Sequence, residues 1–72
     1  MTNRQRVNSG AIASLGYIDA ISALEVEFKD GQIWRYSPFS PAQFREMLTA
    51  PSVGEYYNRN VRDAARLRVR IS

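Results

Sequence analysis

Arginine and glutamate are the residues of this chain whose types and spacing offer chemistry. Glu25 and Glu27 stand two apart, which sets both carboxylates on one face of a strand. Paired carboxylates can hydrolyse a substrate when a pocket raises the pKa of one of them, and a strand face open to water supplies no such pocket. The pair therefore reads as a solvated face, with Glu25 joined to Arg35 in a surface ion pair that contributes at most about 1 kcal/mol. Cysteine and histidine are absent. Disulfides, thiolate nucleophiles, the usual zinc ligands and the commonest general base go with them. No catalysis, cofactor, metal or small-molecule substrate is expected.

Nine of the ten cationic residues are arginine, and they lie unevenly. Arg4 and Arg6 give the N-terminal end +2, while Arg59, Arg62, Arg66, Arg68 and Arg70 against Asp63 give the C-terminal end +4. Residues Val7 to Asn58 sum to −3. Arginine favours forked, planar contacts with phosphate, carboxylate and aromatic faces. Solubility explains scattered charge; it explains less well five arginines among the last fourteen residues beside one acid. Arg4, Arg6, Arg35, Arg59, Arg62, Arg66, Arg68 and Arg70 are the candidate partner contacts.

The elements that must position these groups are organised around LEVEFKDGQIWRY, Leu24 to Tyr36. Leu24, Val26 and Phe28 alternate with the two glutamates, and Lys29-Asp30-Gly31 supplies a turn. A two-residue turn would leave Arg35 on the apolar face. A three-residue loop with Gly31 left-handed pairs Val26 with Trp34, Leu24 with Tyr36 and Glu25 with Arg35, which segregates the faces. Trp34 and Tyr36 then point inward, so core packing is favoured over a platform on which nucleic-acid bases stack.

Ahead of the hairpin, Met1 to Asn8 is polar and aperiodic and reads as a mobile basic arm. Ile12 to Ile18 reads as a first strand with Leu15 and Tyr17 inward and a bulge suggested at Gly16. After the hairpin, Pro38 and Pro41 stop the strand, and Ser40 with Gln43 forms a capping box that starts a helix over about Pro41 to Thr49. Its buried face should hold Phe44, Met47 and Leu48. Ser52 and Glu55 make a second box for a short helix over about Val53 to Asn58. Gly54 there implies close packing, and one of Tyr56 and Tyr57 should face the sheet while the other forms a solvated rim. Asn58 or Asn60 is expected to end that helix in a left-handed turn. Arg66 to Ile71 alternates strictly, so it can pair with this sheet, add a strand to a partner, or order only on binding.

Seventy-two residues make one domain with a small core. The expected fold is α+β: a three-stranded antiparallel meander packed on one face by two short helices, with residues 1–8 as an arm, 9–62 as the domain and 63–72 as an arginine-rich tail. No apolar run reaches the ~20 residues of a membrane span, and the N-terminus lacks a signal-peptide core. A soluble, cytoplasmic monomer is expected.

Several landmarks together resemble the KTSC domain. They are Val7-x-Ser9, Gly16-Tyr17, Leu24-x-Val26-x-Phe28 with Gly31, Trp34-Arg35-Tyr36, Ser52-x-Gly54-x-Tyr56 and Asn58-x-x-Val61-Arg62. Trp34 stands where the family usually has tyrosine, and Tyr57 where phenylalanine is common; both keep an aromatic position. The resemblance runs from about Val7 to Arg62 and leaves the tail outside. It implies a fold, with Trp34, Tyr36, Ser52, Gly54 and Tyr56 as structural signature residues, and RNA binding has been suggested for the family mainly from its domain context.

A stand-alone protein of this size with an arginine tail also resembles small phage-encoded regulators that bind host bacterial RNA polymerase and inhibit transcription. The leading expectation is such a non-enzymatic binding protein, which blocks a surface that polymerase needs for promoter engagement. Direct binding of RNA or DNA is the alternative, and the −3 middle weighs against it unless the basic ends align. A structural subunit whose last strand pairs with another chain is a third reading.

Overall fold

The computed structural model describes residues 4–62 and 67–72. The hairpin forms as its side-chain pattern dictates. Strand β3 (Ala23–Phe28) pairs with β4 (Ile33–Ser37) antiparallel, with Leu24 opposite Tyr36, Glu25 opposite Arg35 and Val26 opposite Trp34. Gly31 closes the loop at φ +96°, a left-handed conformation that costs an L side chain about 1 kcal/mol or more. Strand β2 (Ile12–Ile18) lies antiparallel on the other side of β3. Its register breaks between Ile12 and Ser14 rather than at Gly16, so Ile12 and Leu15 both turn into the core. Tyr17 is half-buried and donates its hydroxyl to Phe39 O at 2.6 Å.

The sheet has five strands, not three. Arg4–Arg6, expected in a mobile arm, forms β1 on the outer edge of β2, and Leu67–Arg70 forms β5 on the outer edge of β4. The order β1-β2-β3-β4-β5 is thus a simple antiparallel meander with the chain ends as its edges. Arg4–Arg6 carries no apolar residue that would announce a strand, whereas pairing with this sheet is one of the three readings of the alternating C-terminal segment. Pairing with an existing edge satisfies the backbone groups of both, and that gain does not require apolar side chains.

Two helices cover one face. Helix α1 (Pro41–Leu48) begins with a complete capping box: Gln43 N–H donates to Ser40 Oγ at 3.1 Å, and Ser40 N–H to Gln43 Oε1 at 3.2 Å. Met47 is fully buried from this helix, with Phe44 and Leu48 packed beside it. Helix α2 (Val53–Tyr57) is capped by Ser52 Oγ, which accepts from Glu55 N–H at 3.2 Å. Asn58 does not turn left-handed. It stays helical at φ −60°, and the chain runs on through a π-helical turn, Asn58–Arg62, which buries Val61. A Cβ on Gly54 would meet Ser9 Oγ at 3.4 Å, so the close approach is to the segment before β2 and joins two of the family-like motifs. The core comprises Ile12, Leu15, Leu24, Val26, Tyr36, Phe39, Met47, Val53 and Val61.

Two glycine replacements separate backbone strain from mere loss of a small residue. Gly31→Ala should destabilise the fold by about 1 kcal/mol and lower Tm by about 4–8 °C. Gly10→Ala, where the added carbon meets nothing within 4 Å, should leave Tm unchanged in the same thermal scan.

Candidate functional site

Residues directly opposite one another on paired strands share a face of the sheet. Arg4, Gly16, Glu25, Arg35 and Val69 therefore make one row across the helix-free face. Glu25 is not the solvated carboxylate that its alternation suggests, since it is only 2% exposed. Arg4 Nη1 donates to its Oε1, and Arg35 Nε donates to its Oε2 at 2.9 Å. Gly16 stands between Arg4 and Glu25 in the row. Two candidate partner contacts, Arg4 and Arg35, thus have their charge committed to an internal carboxylate. Glu27 lies in the next row and accepts from Ser14 Oγ at 2.7 Å.

The opposite face carries the aromatic groups. Tyr57 of α2 meets the sheet edge-on, its ring 5.6 Å from Phe28 and 5.7 Å from Tyr36. The hydroxyls of Tyr36 and Tyr57 share a hydrogen bond at 2.6 Å. Tyr56 is not a solvated rim: its hydroxyl donates to Glu46 Oε1 at 2.6 Å and so ties α2 to α1. Trp34 donates Nε1–H to Gln32 Oε1 at 3.0 Å, and the Arg68 guanidinium lies over its ring, 6.0 Å from the centroid. These groups line an open cleft of about 500 Å³ whose walls include Phe28, Lys29, Trp34, Tyr36, Tyr57 and Arg68. Lys29, Gln32 and Tyr57 were missed as cleft residues: the first two come from the hairpin connection, and the packing of α2 brings Tyr57 to them.

Strand β5 inverts the usual sense of an amphipathic strand. Arg70 pairs with Trp34 and Arg68 with Tyr36, so the arginines lie on the helix-covered face of the sheet, where both are exposed. Leu67, Val69 and Ile71 face the other way and are 76%, 58% and 45% exposed. Ile71 N–H donates to Ile33 O at 2.7 Å, toward β4. Alternation along an antiparallel strand then turns the N–H and C=O groups of Arg68 and Arg70 outward, away from β4. The remaining candidates are dispersed. Arg6 is exposed on β1, Arg59 and Arg62 are exposed on the π-helical turn, and Arg66 lies outside the described residues. Among the described residues these arginines do not form one surface, and Arg68 and Arg70 stand where an aromatic cleft meets the edge of the sheet.

Burial and then the bond to Tyr57 raise the Tyr36 pKa well above its ordinary value of 10.0, with the charge of Arg68 opposing the rise. The unfolded chain gives up this proton near pH 10 while the folded protein keeps it. Stability is therefore intact below about pH 10 and falls as pH rises beyond it. Tyr36→Phe should flatten that fall, measured as urea midpoints from about pH 9 to about pH 11. An equal fall in both proteins would show that folding does not hold the proton. Replacing the buried carboxylate, Glu25→Gln, should cost about 2–3 kcal/mol, because two charge-assisted bonds are lost. Amide exchange across the β1–β2 ladder should quicken with it; unchanged stability and exchange would exclude the anchoring role.

With this geometry, three likenesses to known proteins agree. The KTSC domain family model matches residues 8–64. An uncharacterised protein of Stutzerimonas stutzeri is 36% identical over 55 residues, 76% of this chain and 78% of that protein. The crystal structure of a KTSC domain protein from Yersinia pestis superposes with a TM-score of 0.86 at 26% identity and covers 100% of both chains. That coverage includes the residues of β1 and β5. The chain belongs to the KTSC domain family.

Proposed function

We propose that the protein is a non-enzymatic binding protein that recognises an acidic surface of another protein, with bacterial RNA polymerase as the concrete candidate. One observation carries the reading: β5 and the residue after it present Arg68 and Arg70 with the exposed aliphatic side chains of Leu67, Val69 and Ile71 at the edge of the sheet. Exposed apolar groups beside arginine are the composition of a protein–protein surface, in which arginine is enriched and lysine depleted. A phosphate backbone would leave Leu67, Val69 and Ile71 without a counterpart. The likeness of a small, arginine-tailed protein to phage regulators of transcription is what singles out polymerase. Occupation of a surface used in promoter engagement would then inhibit transcription by steric or conformational means.

The aromatic cleft favours a second reading, since Trp34 beside Arg68 and Lys29 has the makings of a stacking platform for a base. The two readings differ in their response to salt. Nucleic-acid binding loses affinity steeply with salt as phosphate counterions are recaptured.

No helix among the described residues is long and apolar enough to cross a membrane. Replacing Arg66, Arg68 and Arg70 together with serine should weaken binding to the polymerase core enzyme by about tenfold or more, equivalent to about 1.4 kcal/mol. The fold should persist, as judged by an unchanged circular dichroism spectrum. Unaltered affinity would remove the tail from recognition. Tight binding of random single-stranded RNA that collapses at high salt, with no binding of polymerase, would select the nucleic-acid reading.

A further inference from the structure

We infer that the outer edge of β5 receives an extended segment of the partner as a sixth antiparallel strand, and that this segment alternates acidic with aliphatic residues. The inference rests on the reading of β5 as the recognition element and specifies how it is used. Strand addition needs free backbone groups, and the outward N–H and C=O groups of Arg68 and Arg70 supply them. At the other edge, the described residues of β1 are Arg4–Arg6, and Arg4 is committed to Glu25.

The side chains of β5 define what the edge accepts. A residue placed opposite Arg68 or Arg70 shares their face, where a carboxylate gains and a cation loses. Residues opposite Leu67, Val69 and Ile71 share the helix-free face, where an aliphatic side chain covers surface that is otherwise in water. A second copy of this chain fits badly. Antiparallel pairing about Arg68 sets Arg68 against Arg68, pairing about Val69 sets Arg68 against Arg70, and pairing about Arg70 sets Arg70 against itself. Edge arginines thus guard against self-association and at the same time select an acidic strand. Nucleic acid has no comparable backbone ladder to offer this edge.

The test uses the full chain and two synthetic peptides of the same composition, Val-Glu-Val-Glu-Val-Glu-Val and its blocked permutation Val-Val-Glu-Glu-Glu-Val-Val. Binding and amide exchange are followed by NMR. The alternating peptide should bind about tenfold tighter than the blocked one and slow exchange at the Arg68 and Arg70 amides. Equal binding of both peptides, or binding that leaves those two amides unprotected, would overturn strand addition. So would a doubling of mass at high concentration of the protein alone. Polymerase binding with unprotected Arg68 and Arg70 amides would sink strand addition and leave the proposed function standing. Protection by the alternating peptide without any polymerase binding would do the reverse for the choice of partner.

Discussion

A single buried carboxylate constrains the helix-free side of this protein. Moving Glu25 out of water costs several kcal/mol, and that cost is offset only if both guanidinium groups are in place. Arg35 comes with the hairpin, from the strand next door. Arg4 comes from two strands away and reaches Glu25 over Gly16. The polar N-terminal segment is therefore drawn into the sheet by a charge requirement rather than by apolar burial.

The opposite face is governed by aromatic packing, and the two faces leave different residues available. On the helix side Tyr57 locks onto Tyr36 and Phe28, and the core closes beneath α1 and α2. The residues of β5 are exposed, so the face that is interior under β3 is exterior at the edge. Arginines can occupy it there without desolvation. The aliphatic residues of β5 then fall on the helix-free face, where the Glu25 cluster gives them no apolar floor. Leu67, Val69 and Ile71 thus lie exposed among the described residues, and the proposed partner contact rests on this apolar surface.

The hairpin register was legible because a one-residue slip would have put Arg35 among apolar side chains, and few sequences forbid the alternative so clearly. The first helix was equally readable, from Ser40, Pro41 and Gln43 as a capping box. The edge strands were not. Arg4–Arg6 has no apolar period, and Leu67–Arg70 has one whose inward face cannot be assigned without knowing how far the helices extend. Glu25 was misjudged for the same reason: a carboxylate on an alternating strand looks solvated until β1 is known to lie alongside. The cleft escaped because its walls come from the hairpin loop, β4, α2 and β5, and only packing joins them. The arginine cluster of the C-terminal end was visible as composition, but its division among separate surfaces depends on the turn after α2.

Residue-resolved amide exchange of the free protein tests most directly the claim that the arginine tail is a docked edge strand with an open outer side. A docked edge strand requires alternation from Leu67 to Ile71: slow exchange at Leu67, Val69 and Ile71, whose N–H groups face β4, and fast exchange at Arg68 and Arg70. Uniformly fast exchange from Leu67 to Ile71 would contradict it and show that the tail is not part of the sheet. Uniformly slow exchange would contradict it in the other sense, because the outer edge would already be covered.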